Sequence, residues 1–295
     1  MTVIRTMKGL ILVNAYSSAF NARQVKRLTE ELTARGVRVD ARRNDFFPTK
    51  ISDGKIATVC DSDFCIYLDK DKYVSQMLER SGVRLFNRAQ AIELCDDKMQ
   101  THITLAGRGI PMPDTLPGLL CYDDRAELRP EIVDRVETLG YPVIVKLSFG
   151  SRGTGVFKAN DRAELKDIMS RVKTLPHLFQ KYIAPSAGKD MRVIVVGGKA
   201  LGAILRSSDT DFRSNIGLGG NARAVDIPRE IKERAERTAE ILGLDYCGID
   251  FLLADTPLVC EVNSNAFFDA FEAATDINVA AAYAEHIISV MDTKK

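Results

Sequence analysis

The feature that most constrains this chain is the rhythm of its first stretch of about ninety residues, where short apolar runs alternate with segments of helical periodicity. Lys8-Gly-Leu-Ile-Leu-Val-Asn14 predicts a buried strand ending in a polar loop. Between Asn21 and Arg35, Val25, Leu28 and Leu32 recur at helical spacing, and Gly36 supplies the stop. Val37-Arg-Val-Asp-Ala41 alternates as a second strand. Phe64-Cys-Ile-Tyr-Leu68 gives a third, a charged helix follows to Arg80, and a short strand lies around Arg84-Leu-Phe86. Strands joined through helices pair in parallel, because a parallel crossover needs a long connection that also covers a sheet face. Residues 1–95 are therefore expected to form a Rossmann-like parallel α/β domain. No Gly-x-Gly-x-x-Gly follows its first strand, so this domain is expected to hold no nucleotide of its own.

Beyond it the pattern changes. Asp97 to Arg108 predicts a helix, and Ile110-Pro-Met-Pro-Asp-Thr-Leu-Pro117 a connector. Residues 96–185 continue with strands at Pro142–Leu147, Val156–Lys158 and Leu178–Ile183, and a glycine-rich loop between the first two. A helix runs from Asp161, its N-cap, to Arg171. Residues 186–295 carry two strands around Gly197-Gly198, a helix from Pro228 to Leu242, and strands at Cys247–Leu253 and Leu258–Val262. A helix from about Asn278 to Met291 closes the chain. Short strands joined by tight turns predict antiparallel sheet. The expected fold class is α/β (α+β), a parallel N-terminal domain followed by antiparallel sheet.

Composition narrows the partners. The 41 Lys and Arg against 40 Asp and Glu leave a net charge of +1, without the basic excess of a nucleic-acid surface. The longest apolar runs, such as that between Arg192 and Gly197, fall far short of the roughly 20 residues a membrane helix needs. Met1 to Lys8 lacks the apolar core of a signal peptide, and Met7 would serve equally as a start. The expectation is a cytoplasmic protein with neither membrane nor nucleic-acid partners. The six cysteines form no Cys-x-x-Cys and read as reduced, buried small hydrophobes. Three dispersed histidines offer no ligand spacing for metal or triad chemistry.

Three constellations carry chemistry. The first is Lys146 followed by Ser148-Phe-Gly-Ser-Arg-Gly-Thr-Gly155. Its glycines at 150, 153 and 155 allow a close backbone approach to phosphate oxygens, and Lys146 would add a point charge; the same residues also suit a plain flexible hairpin. The second is Gly248-Ile-Asp250 and Glu261-Val-Asn263 on adjacent strands. Glu261 and Asn263 leave one face of their strand, and antiparallel pairing would add Asp250. Oxygen ligands without histidine or cysteine suit Mg²⁺; the alternative is solvent-facing acids on an edge hairpin. The third is Arg192, Arg206 and Arg213, whose forks match phosphate and carboxylate oxygens, although any one alone reads equally as a surface residue.

The order of these parts resembles the ATP-grasp superfamily, and within it the RimK-type carboxylate–amine ligases. The resemblance covers essentially the whole chain. Its specific stretches are Asn14-Ala-Tyr16, Arg43-Asn-Asp45, Asp97-Lys98, Lys146 with the glycine loop, Gln180-Lys-Tyr-Ile183, Asp190-Met-Arg192, Phe212-Arg-Ser-Asn215 with Gly219-Gly220, and the Asp250 to Asn263 hairpin. The resemblance implies a two-lobed ATP-grasp fold after residue 95. It implies that Lys98, Lys146, Gly150, Ser151, Gly153 and Gly155 hold the nucleotide's phosphates. Lys181, Tyr182 and Ile183 would form the adenine hinge, with Asp190 near the ribose and Gln180 and Ser214 in the nucleotide site. Asp250, Glu261 and Asn263 would bind two Mg²⁺, with Mn²⁺ as an alternative. Arg206, Arg213 and Asn215 would face the γ-phosphate and an acyl phosphate, and Arg192 would steady a substrate carboxylate or that intermediate.

The activity implied by the resemblance is that of an ATP-dependent ligase that activates a carboxylate as an acyl phosphate and lets an amine attack it. Amino-acid and carboxylate substrates, with glutamate foremost, and a homo-oligomer (dimer or tetramer) belong to this expectation. Its rivals are an ATP-grasp kinase and a non-catalytic nucleotide-binding module. RimK proper continues after Glu-Val-Asn with a small Pro-Gly turn, whereas this chain reads Ser264-Asn-Ala-Phe-Phe-Asp269. Phe267 and Phe268 therefore point either to a differently shaped pocket or simply to core. Lys181 stands where relatives commonly carry an acid.

Overall fold

The computed structural model describes residues 6–16, 22–150, 153–214 and 221–293. Ser151 and Asn215, two of the expected site residues, lie outside them, as do Asn21, Gly219 and Gly220.

The N-terminal segment holds strands β1 (Lys8–Val13), β2 (Arg38–Arg43), β3 (Thr49–Ser52), β4 (Lys55–Thr58), β5 (Phe64–Leu68) and β6 (Arg84–Phe86). Helices α1 (Ala22–Ala34), α2 (Lys72–Arg80) and α3 (Ala89–Asp96) separate or follow them. β1, β2, β5 and β6 form a parallel sheet in the order β2-β1-β5-β6, as the strand–helix rhythm requires. Leu28 and Leu32 put α1 on one face of it, and Gly36 ends that helix at a left-handed φ of 81°. The β3–β4 hairpin is an addition to the expected elements. Its signal is present in the sequence, because Asp53-Gly54 takes positive φ at both positions and makes the two-residue turn that matches strand twist.

Helix α4 (Lys98–Leu105) is capped by Asp97, whose carboxylate accepts from the amides of Met99 and Gln100. The middle segment then contributes β7 (Thr115–Pro117), α5 (Pro130–Glu137), β8 (Val143–Leu147), β9 (Val156–Ala159), α6 (Arg162–Val172) and β10 (His177–Lys181). Its strands form an antiparallel sheet in the order β7-β10-β8-β9, with α5 and α6 packed on one face.

The last segment holds β11 (Lys189–Val196), β12 (Lys199–Ser207), β13 (Asn221–Val225), α7 (Arg229–Leu242), β14 (Tyr246–Leu252), β15 (Leu258–Asn263), α8 (Asp269–Thr275) and α9 (Val279–Asp292). These strands form an antiparallel sheet, β13-β12-β11-β14-β15. One face rests on α7 through Val193, Val195, Ile249 and Phe251. On the other, Ile194, Val196 and Tyr246 join α9 and the N-terminal sheet in one core, with Ile11, Leu28, Phe64 and Tyr283. Phe268 is wholly buried in that core, edge-on to Tyr246, and Phe267 is half-buried. None of the six cysteines is in a disulfide, and Cys65, Cys95 and Cys247 are buried. Among the described residues no helix is long and apolar enough to cross a membrane.

Candidate active site

The four-stranded and five-stranded antiparallel sheets face each other across a cleft that residues of both sheets line. The floor is the polar end of the five-stranded sheet. Cross-strand pairing sets Asp190 opposite Arg206 and Arg192 opposite Asp250, all on one face. The Arg206 guanidinium donates to both oxygens of Asp190, at 2.7 and 2.5 Å, and lies 2.9 Å from Asp250. Arg192 grips Asp250 in a fork, at 2.6 and 2.7 Å. The Ser214 hydroxyl donates to Asp190.

The neighbouring hairpin completes the floor. Asp250 pairs with Glu261 and Gly248 with Asn263, so both carboxylates stand side by side. The register then slips, because Phe251 pairs with Val259 and leaves Cys260 as the extra residue of a β-bulge. In a regular strand Cys260 and Glu261 would point to opposite faces; the bulge lets both line the cleft. The Asn263 amide lies 3.5 Å from Asp250, at the limit of hydrogen bonding.

The roof comes from the middle sheet, with Ile144, Lys146 and Gln180 facing down. Lys146 Nζ donates to Gln180 Oε1 at 2.7 Å and contacts Cys260 Sγ at 3.2 Å. The Gln180 amide nitrogen lies 3.0 Å from Thr115 Oγ1 and 3.2 Å from His102 Nε2. Lys98, at the start of α4, donates from Nζ to Gly150 O at 2.9 Å and lies 3.9 Å from Glu261. The glycine loop bends through left-handed φ at Gly153 (76°) and Gly155 (75°), where a Cβ on Gly155 would come within 2.8 Å of Leu147. Arg213 reaches across from the floor and donates from Nη1 to Gly153 O at 2.8 Å. Lys181, Tyr182 and Ile183 form the back wall, and Lys181 N–H already donates to Asp114 O.

Charge is unevenly settled in this site. Burial pushes the Asp250 carboxyl up, but the Arg192 and Arg206 guanidiniums outweigh it and hold the group below the usual range. Burial and the nearby Asp250 charge leave Asp190 as the higher-titrating of the two. Burial lowers Lys98 against the pull of Glu261, and raises the Cys260 thiol despite Lys146. Glu261, by contrast, is the accessible anion, with Lys98 its nearest cation among the described residues. No group of three His, Cys, Asp or Glu side chains among the described residues could hold an ion on its own. Two carboxylates and an amide oxygen, Asp250, Glu261 and Asn263, nevertheless form the hard donor set that Mg²⁺ takes when substrate and water supply the rest. The residues therefore fit such an ion, with Glu261 the open ligand.

Of the residues expected from the sequence, Lys98, Lys146, Gly150, Gly153, Gln180, Lys181, Tyr182, Ile183, Asp190, Arg206, Arg213, Ser214, Asp250 and Glu261 line this one cleft. Arg192 and Asn263 are not among the lining residues but contact Asp250, and Gly155 supports the loop by accepting from the Leu147 amide. Sequence reasoning missed Cys260, because a bulge has no sequence signature here. It also missed Asp211, which grips Arg213. The Asp-x-Arg spacing in Asp211-Phe-Arg213 was the available sign.

A model of the RimK-like ATP-grasp domain matches residues 95–287. The chain belongs to the RimK-like ATP-grasp family. N-acetylaspartylglutamate synthase A of Homo sapiens is 41% identical over 231 residues, which are 77% of this chain and 58% of that protein. β-Citrylglutamate synthase B of Danio rerio is 40% identical over 230 residues, 77% of this chain and 56% of its own length. The chain thus spans well under two thirds of the length of these relatives. Among solved structures, the ATP-grasp ligase PsnB complexed with a phosphomimetic variant of a minimal precursor, Mg and ADP superposes with a TM-score of 0.71. The match covers 97% of this chain and 99% of PsnB at 20% identity, which shows a shared fold.

Proposed function

We propose that this protein is an ATP-dependent carboxylate–amine ligase that attaches glutamate, through its amino group, to a carboxylate acceptor. The observation that carries the reading is the pairing of Asp250 with Glu261 beneath Lys98 and Lys146 in one cleft. Carboxylates able to take a hard divalent ion, beneath lysines able to meet phosphate oxygens, suit a metal–triphosphate. The family supports ATP, Mg accompanies ADP in PsnB, and the two relatives are named for products that contain glutamate.

In this reading Lys98, Lys146 and the glycine loop hold the phosphates from above, while hinge residues 181–183 take the base. Asp250, Glu261 and Asn263 hold two Mg²⁺ ions, or Mn²⁺. Bound there, the metal would neutralise the charge that builds up as a carboxylate oxygen attacks the γ-phosphorus. Arg206 and Arg213 oppose the same charge from the protein side, and Asn215 lies in the adjoining segment. Arg192, held by Asp250, steadies the acceptor's carboxylate or the acyl phosphate. ADP leaves as the acyl phosphate forms, and the glycine loop over the cleft keeps water from it until the amine attacks the acyl carbon, gives up its proton and expels inorganic phosphate. Residues 1–95, 96–185 and 186–295 act as the N-terminal domain, the central lobe and the metal-bearing lobe of a cytoplasmic homo-oligomer.

The test is to incubate the protein with ATP, Mg²⁺, glutamate and a carboxylate panel that includes N-acetylaspartate and citrate. Phosphate release that needs glutamate and one carboxylate together, with an amide product, is expected. Transfer to a single acceptor without the amine would make it a kinase. Saturable nucleotide binding without turnover would make it a regulatory module. Either result overturns the reading.

A further inference from the structure

The segment from Ser208 to Ser214 is fixed to the rest of the molecule at three places. Just before β11, Gly188 N–H donates to Phe212 O at 2.9 Å, and Gly188 O accepts from Ser208 N at 2.8 Å. Only glycine suits that contact, because its φ is +65° and a Cβ would come within 2.5 Å of Ser208 O and 3.0 Å of Asp211 O. On the cleft floor the Ser214 hydroxyl donates to Asp190. Across the cleft, Arg213 Nη1 donates to Gly153 O at 2.8 Å, joining residues sixty apart in sequence.

The third tie depends on how Arg213 is aimed. Asp211 Oδ1 accepts from the Arg213 backbone N–H at 2.8 Å and from its Nε at 3.0 Å, and Oδ2 accepts from Nη2 at 2.7 Å. The carboxylate thus occupies one edge of the guanidinium fork and leaves Nη1 as the arm that reaches the glycine loop. The hydrogen bond from Arg213 holds Asp211 below its ordinary range, so the carboxylate is ionised near neutrality. The Asp211 N–H is itself 3.2 Å from Ser208 Oγ, which sets the carboxylate's starting point.

We propose that Asp211 is a positioning residue: it aims Arg213 so that one guanidinium fastens the glycine loop at Gly153 while standing over the phosphate end of the cleft. The loop is then pinned from two sides, by Lys98 at Gly150 and by Arg213 at Gly153. Both pins are cations that line the cleft, so the residues that would meet a triphosphate also hold the cover above it. Gly188 ties the same segment to the chain just before β11. The part that concerns nucleotide rests on the proposed ligase reading; the fastening of the loop does not.

Two measurements on the full chain test it, in the wild type, Asp211→Ala, Arg213→Ala and the double variant. The first is amide exchange of residues 153–155 without nucleotide. The second is equilibrium binding of the ATP analogue AMPPNP with Mg²⁺. Each single substitution is expected to speed exchange and to weaken binding by about tenfold, and the double variant to be no worse than Arg213→Ala, because Asp211 acts only through Arg213. Asp211→Glu is expected to recover part of both. Additive losses in the double variant, or exchange unaltered by Asp211→Ala, would overturn the proposal. If the wild type fails to bind AMPPNP, the nucleotide reading falls, and the exchange arm alone decides the role of Asp211.

Discussion

Single residues in the cleft separate by how firmly their charges are answered. Asp250 is locked between two guanidiniums, while the cation nearest Glu261 among the described residues is Lys98 at 3.9 Å. Glu261→Gln should therefore lower ATP- and Mg²⁺-dependent phosphate release by about a hundredfold or more, while changing unfolding free energy by less than about 1 kcal/mol. Turnover assays with urea unfolding on the same preparation check both halves; residual activity near wild type would remove Glu261 from the metal set. His102 gives a pH prediction. It is buried between Gln180 and Met112, and burial, with Lys146 nearby, lowers it to about 4. Between the ordinary 6.5 and 4 the unfolded chain binds a proton that the folded chain does not. Stability should thus fall as pH drops through that window, by up to roughly 3 kcal/mol, with no such contribution above it. His102→Gln should flatten that slope in urea titrations between pH 7 and 4.

Elements were legible in proportion to their length and periodicity. The strands from Lys8, Phe64 and Cys247 and the helices capped by Asp97, Asp161 and Asn278 stand close to where pattern and caps put them. The pieces that sequence did not reveal are short: β7 has three residues within a proline-rich connector, and only its pairing with β10 makes it a strand. β13 and α8 likewise owe their form to neighbours rather than to local periodicity. The cleft shows the same division. Residue types announced Asp250, Glu261 and Lys146, but the bulge at Cys260 and the ladder through Arg206 depend on register, which the sequence leaves open. One side chain joins elements that sequence gave no reason to connect. Asn87, after β6, is 2% exposed and makes four hydrogen bonds: Nδ2 to Tyr246 O and Ser264 O, and Oδ1 from the amides of Asp245 and Tyr246. Asn87→Ala would strand those four backbone groups in the interior, a loss of about 3 kcal/mol or more. A urea midpoint shifted by much less would mean that the junction between β6 and β14 does not bear on stability.

Across the whole molecule the hydrophobic cores follow a different division from the sheets. The N-terminal parallel sheet and the lobe built on the five-stranded sheet share one core, in which Leu28, Leu32 and Phe64 pack with Ile194, Tyr246, Tyr283 and Ile287. Helices α3 and α4 likewise join the α7 side of that lobe through Ala91, Cys95 and Leu105. The middle sheet keeps its own core, built from Val133, Val143, Val145, Leu165, Ile168 and Phe179. Among the ties from its sheet and glycine loop to the other sides of the cleft are polar contacts: Lys98 to Ser148 O and Gly150 O, Arg213 to Gly153 O, and Lys146 to Cys260. Each such contact is worth only about 1 kcal/mol net, whereas a buried apolar side chain such as Phe64 or Tyr283 contributes about 1.5–3 kcal/mol. The middle sheet should therefore open on its own, at a free energy about 2 kcal/mol or more below that of the rest. Native-state amide exchange tests this directly. Residues 143–147 and 177–181 should exchange as one cooperative set, while residues 9–12, 193–196 and 246–251 exchange together at the higher, global value. A single common free energy for all five strands would mean that the polar contacts across the cleft hold the lobes as firmly as shared core does. The cover formed by the glycine loop would then not move without unfolding the molecule.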